Sequence, residues 1–445
     1  MKLDKNNLKF NDAVDLVANG EKLIYLTGRA GSGKTTFLKY IREITDMKTI
    51  VLAPTGVAAL NAGGQTIHSF FKIAPSIYLP GDFRLRNKSN YDDEDKRTIF
   101  DFFAYRKNQR NLFEKMELLI IDEVSMVRCD LLDVVDKILR TFRDNENEVF
   151  GGVQTLLIGD AFQLPPIVSK EHWELLGKYY KSPFFFDALA FQQRKPKYIE
   201  LEKIYRQTDE KFIHLLNKVR INKIEKEDLD ILNSRFIPSL TKNENLEYIT
   251  IATHNRLVDN INNKKLDEIE QEEHYYEAIV NGEFPESIFP TEKHLKLKVG
   301  AQVMFIKNDT DKKYYNGKIG KIVGLNEDKL IIELANKSKI ELTRHVWDNI
   351  KFIWNEKEKK IEEEHVGEFI QFPIKLAWSI TVHKCQGLTF DNIIADISSS
   401  FVAGQVYVAL SRCVSLEGIL LKSKIQRSAI KTDPNVVRFA ENGFS

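Results

Sequence analysis

An α/β protein built on parallel sheets is the fold class this sequence predicts, and three observations carry that prediction. Short apolar runs of buried-strand type recur at 23–27, 49–53, 118–121 and 155–158, with segments of helical spacing between them. Directly after the first run, residues 28–35 read G-R-A-G-S-G-K-T, a complete G-x-x-x-x-G-K-[ST] phosphate loop that opens a helix-like stretch at 35–44. A second series of runs, at 198–201, 248–252, 392–397 and 418–421, repeats the alternation without such a loop. Alternating strands and helices give a parallel sheet with helices on both faces. The 445 residues suffice for two large domains and an insertion.

The phosphate loop states its own chemistry. Gly28, Gly31 and Gly33 let backbone N–H groups turn inward around phosphate oxygens, and the following helix N-terminus adds a favourable dipole. Lys34 is expected on the β- and γ-phosphates of a nucleotide, with Thr35 on Mg²⁺. Ala30, Ser32 and Thr36 complete the cradle. The run 118–121 ends in Asp122 and Glu123, two acids at a strand's carboxyl end that need a cation or a donor. Asp122 is expected to hold the Mg²⁺ through its water shell and Glu123 to polarise the attacking water. The run 155–158 leads into G-D-A-F-Q-L-P-P, where Gln163 is placed to report loss of the γ-phosphate.

Other elements of the first half follow. Pro54, Thr55 and Gly56 come after the run 49–53, and 64–71 reads G-Q-T-I-H-S-F-F. Hydroxyls, an imidazole and adjacent aromatics suit phosphate contacts and base stacking along a single strand, which makes Pro54, Thr55, Thr66, His68 and Phe70 candidates. Residues 82–97 are crowded with charges and read as a solvated surface excursion. Asp130 ahead of Leu131, Val135, Ile138 and Phe142 predicts a capped helix with one apolar stripe.

In the second half, 298–341 has a different texture. Short β-type runs at 302–306, 318–323, 329–333 and 339–342, punctuated by Asn-Gly and Gly, predict a small barrel. The charged stretch 355–364 is expected as an exposed hairpin or loop. Residues 379–390, S-I-T-V-H-K-C-Q-G-L-T-F, have no simple period and read as a functional loop. Arg206 in L-E-K-I-Y-R-Q and Arg412 in Y-V-A-L-S-R-C are candidates for cations supplied across a domain interface.

Composition bounds the rest. With 65 basic and 64 acidic side chains the net charge is +1, so any nucleic-acid surface must be local. Residues 375–431 carry seven Lys/Arg against three Asp/Glu, a modestly basic stretch. Cys129, Cys385 and Cys413 lie far apart, which argues against a disulfide framework or a zinc site. No apolar run reaches 18 residues and no basic head precedes an apolar N-terminal segment, so an intracellular, membrane-free protein is expected.

The ordered set G-R-A-G-S-G-K-T-T, A-P-T-G-V-A-A, G-Q-T-I-H-S-F-F, I-D-E-V-S-M, G-D-A-F-Q-L-P-P, Y-R-Q, T-V-H-K-C-Q-G-L-T-F and Y-V-A-L-S-R-C resembles a superfamily 1 DNA helicase. Among these the chain is similar to the Pif family, related to the RecD helicases, from about residue 10 to 420. The resemblance implies two RecA-like motor domains, at 1–187 and at 188–294 with 369–445, and an SH3-like insertion at 295–368. It implies an ATP- and Mg²⁺-dependent helicase that moves 5′ to 3′ on single-stranded DNA, one nucleotide per ATP, and unwinds duplex or structured DNA. The roles implied are DNA replication, repair, recombination or telomere-type maintenance, with duplex and G-quadruplex junctions as partners beside single-stranded DNA. By motif match, Thr253, Asn255, Thr381, His383 and Lys384 join the DNA contacts, Arg206 and Arg412 become arginine fingers, and Gln386 and Gly387 sit near the γ-phosphate. Asn11 stands where the family places an adenine-reading Gln. A wedge is expected within the excursion near 70–97. The short termini fit a minimal bacterial or phage-type core, cytoplasmic, working as a monomer with no obligate protein partner. A single-strand-stimulated translocase or remodeller with little unwinding, an RNA-directed motor, and an ATP-gated binding module are the alternative readings.

Overall fold

The computed structural model describes residues 7–88, 95–238, 248–309, 311, 313–400 and 402–444. The first sheet is parallel throughout, in the order β3-β2-β4-β5-β1-β6. Its strands are β1 (Leu23–Gly28), β2 (Thr49–Ala53), β3 (Gln65–Thr66), β4 (Leu118–Ile121), β5 (Gln154–Ile158) and β6 (Lys197–Leu201). Every residue of β1, β4 and β5 is buried, as strands covered on both faces require. The helices Leu8–Ala18 and Lys34–Ile44 cover one face through Phe10, Phe37 and Ile41. The helix Cys129–Phe142 covers the other.

Two expectations are corrected in this unit. The run 198–201 belongs to the first sheet, where Tyr198 pairs with Tyr25 of β1. As an edge strand it buries Ile199 and Leu201 and exposes Lys197 and Tyr198, a pattern that identifies a strand without saying which sheet accepts it. Asp130 lies inside the first turn of its helix, and Arg128 occupies the cap position. Fully buried, Asp130 accepts from Arg128 Nε at 2.8 Å and from the Tyr78 N–H at 3.1 Å, which pins the 76–78 segment to this helix.

The second parallel sheet runs β18-β7-β19-β20, from β7 (Ile249–Ala252), β18 (Ser379–Thr381), β19 (Ile393–Asp396) and β20 (Ile419–Leu421). Residues 379–381, expected as the start of a loop, are thus an edge strand. All three are buried beside β7, so no polar alternation marks them.

Three antiparallel ladders fill the interval. One is five-stranded, β14-β13-β12-β11-β17, from β11 (Gln302–Phe305), β12 (Ile319–Leu325), β13 (Leu330–Glu333), β14 (Lys339–Leu342) and β17 (Ile374–Leu376). The others are β15-β16-β9, from β9 (Ile279–Gly282), β15 (His345–Asn355) and β16 (Lys360–Gln371), and the pair β8 (His274–Glu277) with β10 (His294–Leu297). The charged stretch 355–364 turns the hairpin β15–β16. This hairpin also straps the first unit: Phe352 and Trp354, each 6% exposed, enter its core. Trp354 N–H donates to Asn108 Oδ1 at 3.0 Å, and Arg42 pairs with Glu363 at 2.9 Å. The C-terminal helix Pro434–Asn442 returns to the first unit, where Phe439 stacks on Phe186 with centroids 4.2 Å apart. Among the described residues no helix is long and apolar enough to cross a membrane.

Candidate functional site

The phosphate loop leaves β1 and caps the helix Lys34–Ile44 with Gly33 at φ 91°. Gly31 has φ 77°, and a Cβ there would lie 2.5 Å from the Arg206 Cβ. Only glycine therefore lets the 205–206 segment cross the loop, where Tyr205 N–H donates to Gly31 O at 2.9 Å. Lys34 Nζ donates to Gly28 O at 2.6 Å and Arg29 O at 3.1 Å. Burial lowers the pKa of this ammonium, and Asp160 and Glu123 oppose the shift.

Asp122 and Glu123 follow β4, with Glu123 held at φ 51°, a left-handed conformation costly for a side chain with a Cβ. Burial, then the Glu123 charge, pushes Asp122 up to about 7; burial raises Glu123 also. Two buried carboxyls side by side favour a shared proton or a cation. Gln386 Nε2 donates to Glu123 Oε2 at 2.9 Å and to Gln163 Oε1 at 3.3 Å, bringing the second unit onto the acid pair. Arg206 donates to Thr389 Oγ1 at 2.9 Å and Ser411 O at 3.1 Å. Burial, then the nearby Arg412, lowers Arg206 to about 9. Arg412, 2% exposed, donates to Val408 O and Ser411 Oγ, each at 3.0 Å.

These groups open onto one cavity of about 1830 Å³. Its wall takes Ala30, Gly31, Ser32, Gly33, Lys34, Thr35, Thr36, Asp122, Glu123, Gln163, Arg206, Gln386, Gly387 and Arg412 from the residues expected on the nucleotide, and Thr55, Thr253, Asn255, Thr381, His383 and Lys384 from those expected on DNA. The donor set fits a triphosphate with a hard cation. Ser32 Oγ and Gln386 Oε1 are buried without a hydrogen-bond partner, and burial outweighs the nearby Lys34 charge at the acid pair, whose carboxyls both stay raised.

The strand end is less complete than the motifs imply. Thr55 caps the helix Gly56–Ala62, accepting from Ala58 N–H at 3.3 Å. Thr253 Oγ1 lies 2.8 Å from His254 Nδ1, Asn255 opens the helix Asn255–Asp267, and Thr381 Oγ1 accepts from Lys384 N–H at 3.3 Å. Burial lowers the His383 pKa. Pro54, Thr66, His68 and Phe70 do not line the cavity. Thr66 caps the helix Ile67–Phe71, and His68 Nδ1 bonds Ile73 O at 3.0 Å. Phe70, expected on the strand, is 3% exposed here and packs edge-on against Phe71, Phe113 and Phe352. Adjacent aromatics on a short amphipathic helix are core as readily as platform.

Asn11 lies on the helix Leu8–Ala18 and is not among the residues lining the cavity, whereas Phe10, Lys39, Tyr40 and Tyr205 line it. Asn7 caps that helix and donates to Tyr205 Oη at 3.0 Å. The sequence motifs contained Asp160 and Tyr407 without giving them a role, and Arg220 lay outside every motif. Arg220 Nη2 pairs with Asp160 Oδ1 at 2.9 Å, an ion pair buried between the two units. Lys375 on β17 also faces the cavity, lowered to about 8 by burial and by Lys384. Cys385 and Cys413 are buried small residues inside their motifs.

A PIF1-like helicase family model matches residues 2–230. The chain is 30% identical over 430 residues to the human ATP-dependent DNA helicase PIF1, covering 94% of this chain and 60% of the human protein's length. The ATP-dependent DNA helicase Pif1 of Bdellovibrio bacteriovorus is 29% identical over 96% of this chain and 90% of its own. Solved structures of Pif1 from a Bacteroides species are 40% identical. The complex with ADP-AlF4 superposes with a TM-score of 0.89 over 100% of this chain and 98% of that one. The same Bacteroides protein bound to ssDNA gives 0.66, covering 99% and 97%.

Proposed function

The chain belongs to the PIF1-like helicase family, and we propose that its chemistry is ATP-driven DNA unwinding, in which its two parallel-sheet units close on one nucleotide to drive single-stranded DNA through the cavity. The observation that carries this reading is the meeting of both units on the phosphate loop: Arg206 crosses Gly31, and Gln386 touches Glu123 and Gln163.

Lys34 leaves the carbonyls of Gly28 and Arg29 to grip the β- and γ-phosphates. Thr35 and Asp122 hold Mg²⁺, which supplies charge neutralisation on the phosphates. Glu123 takes the proton of the attacking water, and Gln163 with Gln386 orients that water and senses the γ-phosphate. Arg206 and Arg412 stabilise the charge that develops on the transferred group. Phe10, Tyr40 and Tyr205 form the slot for the base, with Asn7 fixing the Tyr205 hydroxyl.

The units are read as RecA-like motors, and the five-stranded sheet as the SH3-like insertion. With β6 in the first sheet, the first motor extends past residue 187 to Leu201. Loss of the γ-phosphate removes the bridge between Lys34 and the two arginines, so cycles of closure and opening move one grip relative to the other. Thr55 on the first unit and Thr253, Asn255, Thr381, His383 and Lys384 on the second hold single-stranded DNA, moved 5′ to 3′ one nucleotide per ATP. The 70–97 excursion is the strand-separating element; within it Phe83 offers an exposed ring, and its residues 89–94 lie outside the described ones. Forked and G-quadruplex junctions are the structured substrates, and a cytoplasmic monomer is the working form.

The test is Mg²⁺·ATP-dependent strand separation on two partial duplexes that differ only in a 5′ or a 3′ tail, with Glu123→Gln as control. Unwinding from the 5′ tail alone supports the reading. Strand-stimulated hydrolysis without unwinding from either tail replaces it with a translocase.

A further inference from the structure

The Tyr407 side chain, 3% exposed, lies where the two units meet beside the phosphate loop. Its hydroxyl accepts from the Ala30 N–H at 2.9 Å and donates to Asp160 Oδ2 at 3.5 Å. Asp160 is fully buried and holds Arg220 Nη2 at 2.9 Å, Phe162 N–H at 3.2 Å and Gln163 Nε2 at 3.3 Å. One hydroxyl therefore fastens the helix Gln405–Leu410 of the second unit to the nucleotide cradle of the first. The same helix carries Arg412 just beyond its end, and the guanidinium is fixed to that helix through Val408 O and Ser411 Oγ.

This docking opposes a real repulsion. Arg206, partly exposed, lies near the buried Arg412, and like charges brought close in a low-dielectric cleft push their carriers apart. A helix that presents one of those cations needs an anchor between the cation and the loop it faces. Tyr407 supplies it five residues upstream, and the Asp160–Arg220 pair holds Tyr407 in turn.

We propose that Tyr407 is a positioning residue for Arg412: its hydroxyl sets the distance of the finger-bearing helix from the phosphate loop. The proposal rests on Arg412 acting as an arginine finger. Through Gln163 on Asp160, the group that senses the γ-phosphate is hydrogen-bonded to the same anchor.

The test measures DNA-stimulated ATP hydrolysis for the full chain, Tyr407→Phe, Arg412→Ala and the double variant, with ADP and ADP-AlF4 affinities alongside. Phenylalanine keeps the ring and removes the hydroxyl. Tyr407→Phe is expected to lower kcat about tenfold, the scale of one buried hydrogen bond, with KM for ATP within about twofold. ADP-AlF4 affinity falls while ADP affinity holds, and the melting temperature remains near wild type. In the Arg412→Ala background the second substitution adds no further loss. An equal loss in both backgrounds, or a raised KM with kcat retained, overturns the positioning role while leaving the finger intact. A wild-type kcat in Arg412→Ala overturns the finger and the positioning role together.

Discussion

The nucleotide end and the strand end of the cavity were assembled from the same kind of short motif, yet they differ in completeness. At the nucleotide end, all six catalytic candidates line the cavity, with Gln386 bonded across to Glu123 and Gln163. At the strand end, Thr55, Thr253, Asn255, Thr381, His383 and Lys384 reach it, whereas Pro54, Thr66, His68 and Phe70 do not. Phosphate binding is built from one contiguous loop and the strand ends beside it, so its geometry is local. The residues expected on DNA come from several elements distant in the chain, so their gathering depends on how those elements are placed.

The largest effect is expected at the nucleotide end. Arg412→Ala should lower DNA-stimulated kcat by ~10³ or more with DNA affinity in the absence of nucleotide nearly unchanged; a matching loss of DNA affinity would make Arg412 a strand contact and blur the two ends. Glu123→Gln should cost ~10² to 10⁴ in turnover while ATP and DNA still bind, as read by single-turnover hydrolysis and equilibrium titration.

Phe70→Ala sharpens the contrast from the strand side. Losing a buried ring should cost about 3–5 kcal/mol of stability, seen in a denaturant melt, while the folded fraction binds single-stranded DNA as before. Weaker DNA binding at unchanged stability would return Phe70 to the channel.

A smaller effect follows from Asp122. Its folded pKa, pushed up to about 7, lies above the ordinary carboxylate value, so the native state binds more protons than the unfolded chain between about pH 4 and 7. In the absence of metal, stability is expected to fall as pH rises through that window, and Asp122→Asn should flatten the dependence. Mg²⁺·ATP binding should tighten up to about tenfold per pH unit below 7, because the proton must leave first. A pH-independent affinity between 5.5 and 7 would remove Asp122 from the metal site.

The smallest change is expected for Lys384→Ala, which should reduce the slope of log affinity against log salt by about 0.7, the share of one phosphate on a single strand.

Legibility in the sequence follows the same division. Buried strands of the first sheet and the phosphate loop announce themselves, because an all-apolar run and a glycine pattern each have one dominant structural use. Tyr198 and Ser379 mislead for opposite reasons: the edge strand β6 shows which residues it buries but not its neighbour, and β18 buries polar residues that carry no period. Asp130 reads as a cap and is a buried partner of Arg128. Asp160, Arg220 and Tyr407 are distant in the chain, and only the folded interface makes them a unit. Phe352 and Trp354 lie next to a run of charges, which hides that their side of the hairpin is buried in the first unit.

The expectation that the nucleotide end is complete in the free chain, whereas DNA completes the strand end, is tested most directly by a distance across the hairpin strap. Cys129, Cys385 and Cys413 are buried, so cysteines introduced at the exposed Glu114 and Glu358 can be labelled selectively with a fluorescence pair. High transfer is predicted for the free protein and with ADP, and a fall on saturating single-stranded DNA that Phe352 and Trp354 must permit by leaving the first core. Unchanged transfer at a DNA concentration that fully stimulates ATP hydrolysis would contradict it.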